Sequence, residues 1–153
     1  MVTWSPYRKK LIDDIERVQK RATKLVRECK SRSYIERLKY LELPTLKFRR
    51  LRGDMIEAYK NLTCKYDNSV VLRLHKSEYT RTRGNSLKLK TERAEYDLRK
   101  KFFCCRITKV WNSLPDEVVT AESINSFKNR LDKHWEQCEL YYDWEAKEPG
   151  STY

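Results

Sequence analysis

Tyr7, Leu11, Ile15, Val18, Ala22 and Leu25 recur at steps of three and four. That spacing lays one apolar stripe along a helix, and it predicts a long helix over about residues 6–29. Ser5-Pro6 supplies its start, with Ser as N-cap and Pro in the first turn, where a missing N–H costs little. The other faces carry Arg8, Lys9, Lys10, Arg17, Lys20, Arg21, Lys24 and Arg27. Such a helix either lies along a phosphate backbone or faces water, and the pattern leaves both open.

A second helix opens at Ser33. Glu36 stands three residues on, the spacing of a capping box. Leu38 and Leu41 form its inward side, and Leu43-Pro44 ends it. A third helix, about 45–63, has Phe48, Leu51, Met55, Tyr59 and Leu62 as its stripe. Gly53 inside it costs about 1 kcal/mol relative to Ala, so a close backbone approach is the expected reason for it. The period then shortens. "VVLRL" and "SLKLK" alternate as strands do, around "TRTRGN", and predict a short β-hairpin or extended element at about 70–90.

A fourth helix, about 95–113, carries Tyr96, Leu98, Phe102, Phe103, Ile107, Val110 and Trp111. It stops at Leu114-Pro115. Asp116 and Glu117 then favour the first turn of a short helix holding Val118 and Val119, so "VWNSLPDEVV" reads as a corner between helices. Neighbouring carboxylates on a helix point about 100° apart, which argues against a catalytic pair. A last helix, about 123–139, starts at Ser123 and buries Ile124, Phe127, Leu131 and Trp135. The expected fold is mainly α, a bundle of about five helices forming one domain over residues 1–139. Residues 140–153 are expected to be an acidic, disordered tail that nucleic-acid binding does not need.

Charge sharpens this picture. The net charge is +12. Residues 1–110 hold 30 Lys and Arg against 13 Asp and Glu, a net of +17, whereas residues 111–153 hold 4 against 9, a net of −5. A basic body of this size points to a polyanion, RNA or DNA, met through phosphate contacts with little base readout. Three basic groups are the candidate contacts: Lys20, Arg21 and Lys24; Lys47, Arg49, Arg50 and Arg52; and Arg81, Arg83, Lys88 and Lys90, read as a flexible loop around Gly84.

Other chemistry finds little support. The cysteines, Cys29, Cys64, Cys104, Cys105 and Cys138, are odd in number. No segment reads as a signal peptide or a membrane span, so reduced thiols inside the cell are expected. A zinc site from Cys104, Cys105, His134 and Cys138 is disfavoured, because adjacent helical cysteines do not easily turn toward one ion. His75 and His134 have no recognisable nucleophile beside them. No cofactor, metal, membrane or small-molecule substrate is implied.

The stretches "VTWSPYRKKLIDDIERVQKRATKLV", "YIERLKYLELPTLKFRRLRGDMIEAYK", "TRGNSLKLK", "FFCCRITKVWNSLPDEVV" and "SINSFKNRLDKHW" also occur in a familiar order. They resemble the C-terminal segment of the reverse transcriptase polyprotein of non-LTR retrotransposons of the jockey-like and related animal clades. The resemblance spans about residues 2–135. It implies a segment at and beyond the polymerase thumb, covalently followed from a palm and an endonuclease upstream, in an element whose reaction is RNA-directed DNA synthesis primed at a nicked target. The palm's Tyr-x-Asp-Asp turn is not in this sequence; its one Asp-Asp, Asp13-Asp14, lies in the first helix. The resemblance therefore implies a non-catalytic nucleic-acid-binding segment, with RNA or DNA and the rest of the polyprotein as partners and a nuclear and cytoplasmic location. A retroelement fragment captured by a host and acting as a helical protein-interaction module is the alternative.

Overall fold

The computed structural model describes residues 6, 8–63, 74–77, 84–91, 95–96, 99 and 102–150. The chain is mainly helical, as the periodicity requires. Among the described residues its helices are α1 Lys9–Leu25, α2 Tyr34–Tyr40, α3 Leu46–Leu62, α4 Phe103–Ser113, α5 Asp116–Val119 and α6 Ile124–His134, with 3-10 turns at Arg27–Cys29 and Glu139–Tyr141.

The expected single domain divides into two compact units. One contains residues 3–52 and 137–147; the other contains 53–136 and 148–153, with the first two residues. The boundary falls inside α3, so this helix gives its first turns to one unit and the rest to the other.

In the first unit α1 begins at Lys9, later than expected, and Arg8 precedes it without a side-chain cap. The helix packs through its polar side. Glu16 and Thr23 are buried, whereas Leu11, Val18, Ala22 and Leu25 are exposed. Glu16 Oε1 accepts from the Tyr34 hydroxyl at 2.7 Å, and both its carboxylate oxygens lie 3.2–3.3 Å from the Leu46 N–H. This carboxylate from α1 therefore does for α3 what an N-cap does, satisfying an N–H that has no partner within its own helix. Thr23 Oγ1 accepts from Arg37 Nε at 3.1 Å, and Gln19 Nε2 donates to the Pro44 carbonyl at 3.1 Å.

The capping box of α2 is present: Ser33 N–H donates to Glu36 Oε2 at 2.7 Å, and Glu36 N–H to Ser33 Oγ at 3.3 Å. Leu38 is fully buried and Leu41 half-buried. At the other end Leu43 N–H reaches the Leu38 carbonyl and Glu42 N–H the Lys39 carbonyl, with Glu42 at φ 53°. This is a Schellman closure whose left-handed position is filled by Glu rather than Gly.

Residues 140–150 are not a disordered tail. Leu140 is fully buried. Its carbonyl accepts from the Thr45 hydroxyl at 2.7 Å, and the Tyr141 carbonyl accepts from the Thr45 N–H at 2.8 Å. Tyr141 packs on Phe48, ring centres 4.8 Å apart. Composition marked this segment as solvated; its few apolar residues are the ones that pack.

In the second unit Met55, Tyr59 and Leu62 of α3 meet a core of Phe103, Ile107, Val110, Trp111, Val118, Val119, Phe127, Leu131 and Trp135. Tyr59 and Phe127 stack at 4.3 Å, and Trp111 lies 6.0 Å from Phe127. Asp54 and Arg106 join α3 to α4 by a two-pronged ion pair at 2.8 and 2.9 Å. Gly53 is not explained as expected: a Cβ there would meet nothing within 4 Å. Tyr96 and Phe102, expected on the apolar stripe, are exposed, because α4 starts only at Phe103; Leu98 lies outside the described residues. Ser123 caps α6 by accepting from Ser126 N–H, and that helix ends at His134 rather than at 139.

The β-hairpin is not supported. Among the described residues there is no strand, only a single antiparallel bridge between Lys76 and Leu89. The physical reason lies in what residues 84–90 bond to. Asn112 accepts from Leu89 N–H at 2.8 Å and donates to the Leu89 carbonyl at 2.9 Å. Trp111 Nε1 donates to the Leu87 carbonyl, Asn85 Nδ2 donates to the Trp111 and Leu114 carbonyls, and Ser86 N–H donates to Asp116 at 2.6 Å. One edge of this segment is thus taken by the α4–α5 corner, and its other edge pairs only where Lys90 N–H meets the His75 carbonyl and Ser77 N–H the Lys88 carbonyl, each at 2.8 Å.

Candidate nucleic-acid interface

The three basic groups do not behave alike. Arg81 and Arg83 lie outside the described residues. Lys88 and Lys90 flank buried Leu89, so the segment expected to be a flexible loop is instead pinned to the corner. Lys90 is exposed and Lys88 half-buried. Gly84 sits at φ +129°, and the Lys88 stem lies across it so closely that a Cβ would fall 2.3 Å from Lys88 Cε. The positive φ is what calls for glycine there, since the end of the flexible Lys88 side chain can move aside. Lys88 and Lys90 belong to the second unit; the α1 and α3 groups belong to the first.

In the first unit the expected cations separate by role. Lys20 is half-buried, its ammonium 5.3 Å from the centre of the Tyr34 ring and 4.5 Å from that of Trp144. Lys47 donates to the Ala146 carbonyl at 2.9 Å. Both thus hold residues 144–146 in place. Arg50 and Arg52 are half-buried, whereas Arg21, Lys24 and Arg49 are exposed.

Sequence reading missed a set of cations interleaved with aromatic rings. Arg32 lies 4.1 Å from the Tyr40 ring, Arg37 5.6 Å from Tyr34, and Lys39 5.8 Å from Tyr142. A guanidinium over a ring is attracted by its negative face. Tyr40 is 46% exposed and its hydroxyl donates to Glu28 at 2.6 Å. That bond to a carboxylate raises the Tyr40 phenol above its usual range. Tyr34 is pushed up too, first by burial and then by its bond to Glu16. The available signal was "SRSYIERLKY", where Arg32 just before α2 and Tyr34, Arg37 and Tyr40 on it alternate.

At the corner the Asp116 carboxylate and the Glu117 backbone carbonyl are both engaged. Asp116 takes the Ser86 N–H, which lowers its pKa, and the Glu117 carbonyl accepts from Arg130 at 2.6 Å. Cys104 and Cys105 are half-buried on α4; half-burial raises the Cys138 thiol. Among the described residues no group of three His, Cys, Asp or Glu side chains is placed to hold a metal ion. No described helix is long and apolar enough to cross a membrane. Comparison with protein families, curated proteins and solved structures finds no match to the chain.

Proposed function

We infer that this chain is a non-catalytic, nucleic-acid-binding segment of a non-LTR retrotransposon reverse transcriptase, binding single-stranded RNA or DNA through phosphates and base stacking. The observation that carries the binding reading is in the first unit. Its 61 residues hold 17 basic against 9 acidic side chains, a net of +8, and cations alternate there with rings. Single strands are held by this combination: positive charge follows the backbone, and aromatic faces accept any base. The retroelement origin rests on the ordered stretches of sequence alone. The polymerase reaction belongs to a palm whose motif this sequence lacks, so the chain by itself is expected to incorporate no nucleotides in the presence of Mg²⁺.

The test is fluorescence anisotropy with a labelled unstructured RNA across a salt series. Affinity should fall with a log–log slope of about −0.7 per phosphate contact. Replacing Arg21, Lys24 and Arg49 with Gln should weaken binding and flatten that slope. Tyr40→Ala should weaken binding by about 1–3 kcal/mol while leaving the slope unchanged, since a stacked ring releases no counterion. Replacing Arg81, Arg83, Lys88 and Lys90 with Ala tests the second unit in the same way. Absence of binding at low salt, or binding insensitive to salt, rejects the reading.

A further inference from the structure

The first helix is inverted. Its polar residues Glu16, Gln19 and Thr23 face the first unit and are hydrogen-bonded there, while its apolar stripe faces outward. Val18 is 67% and Leu25 82% exposed, with Leu11 at 38%. Leu11, Ile15, Val18, Ala22 and Leu25 are spaced 4, 3, 4 and 3 residues apart, the a/d seam of a heptad repeat. A globular domain ordinarily turns such a stripe inward.

One edge of the seam is basic. Lys10, Arg17, Arg21 and Lys24 are all exposed along it. The carboxylate among them, Asp14, lies 3.4 Å from Arg17. The other edge is uncharged, formed by Ile12, Gln19 and Val26. We propose that the outward face of α1 is a docking surface for a helix of another protein, one with an apolar a/d seam and glutamates or aspartates along the edge that meets Lys10, Arg17, Arg21 and Lys24. Charge decides for this occupant over a second copy. An antiparallel copy would set the basic edge against itself. A parallel copy would set it against the uncharged edge, with no gain. Seventeen residues at 1.5 Å each give a seam of about 25 Å, enough for a partner of two to three heptads. This inference is independent of the nucleic-acid reading.

The probe is a synthetic three-heptad peptide with Leu at a and d and Glu at e and g, whose glutamates keep it from pairing with itself. Its control carries Lys at e and g. The full chain should bind the Glu peptide, and bind the Lys peptide at least tenfold more weakly. Val18→Asp with Leu25→Asp should weaken the Glu peptide at least tenfold, with the melting temperature unchanged because both side chains are exposed. Changing Lys10, Arg17, Arg21 and Lys24 to Glu leaves the seam intact and should reverse the preference to the Lys peptide. Binding to neither peptide, or equal binding to both, overturns the proposal. So does a chain that dimerises in sedimentation and loses the dimer in the Val18→Asp, Leu25→Asp variant, or one that binds anionic vesicles but not the peptide.

Discussion

Tyr34 hands a hydrogen bond to Glu16, which is fully buried and also receives the N–H of Leu46. One carboxylate thus ties α1 to α2 and to the start of α3. Removing the donor leaves a buried charge with one partner fewer, so Tyr34→Phe should cost about 1–3 kcal/mol in chemical denaturation. The pH dependence has a definite sign. Burial and Glu16 hold the folded Tyr34 above the ordinary tyrosine value of about 10, so its contribution is present in full below that pH. Above it the unfolded chain loses the proton that the fold keeps, and stability falls as pH rises. Tyr34→Phe should make the alkaline decline of stability shallower. An unchanged decline would show that the other tyrosines account for it.

At the scale of elements, legibility followed the type of signal. The stripe of α3 and the capping box of α2 were readable because spacing alone decides them, and the residues they named are buried or bonded as expected. The Pro115 corner was readable because a missing N–H is a property of one residue. The stripe of α1 was readable as a pattern, yet its direction was not: a period places residues on one face without saying which face the rest of the chain will cover. The hairpin misled because "SLKLK" alternates, yet Asn112 and Trp111, more than twenty residues later, take its Leu87 and Leu89 edge, and its other edge forms only one bridge. Of the ring–cation set, the Arg32–Tyr40 and Arg37–Tyr34 pairs are local and were legible, whereas Lys39 and Lys20 meet Tyr142 and Trp144 more than a hundred residues on, in a segment read as a tail. Glycine shows the same gap between local rule and context. Gly53 occupies a helix interior with open space around it, whereas Glu42 occupies the left-handed closing position of α2. Gly53→Ala should therefore stabilise by about 0.5–1 kcal/mol. Glu42→Gly should be neutral or stabilising by up to about 1 kcal/mol, since the left-handed strain it relieves offsets the entropy it adds. Thermal melts of the two single variants and the pair should show the gains adding. A destabilised Gly53→Ala would mean that the helix needs the freedom glycine gives it.

At the scale of the whole molecule, the charge asymmetry along the sequence does not follow the division into units. The acidic residues 139, 143 and 145 belong to the more basic unit, in a segment whose Tyr142, Trp144 and Ala146 meet Lys39, Lys20 and Lys47. Charge and scaffold therefore make opposite demands on the C-terminal segment. As charge it opposes a polyanion; as scaffold it supplies buried Leu140 and both acceptors for Thr45. Deleting residues 140–153 should not be the neutral change that composition suggests. Loss of a buried leucine alone costs about 2–5 kcal/mol, and Thr45 would lose its N–H and hydroxyl partners besides. The truncated chain should lose helix by circular dichroism and bind nucleic acid more weakly. The charge contribution is separable. Glu139 and Glu145 are exposed, so Glu139→Gln with Glu145→Gln should leave the melting temperature within a degree or so while raising the unit's net charge from +8 to +10. RNA affinity should then rise by about two- to threefold at low salt, a gain that fades as the screening length contracts to about 8 Å at physiological ionic strength. If the truncation folds and binds as well as the full chain, the segment is only a solvated tail. If instead the double Gln variant matches the truncation in losing affinity, these two carboxylates hold the segment in place, and its acidity is structural.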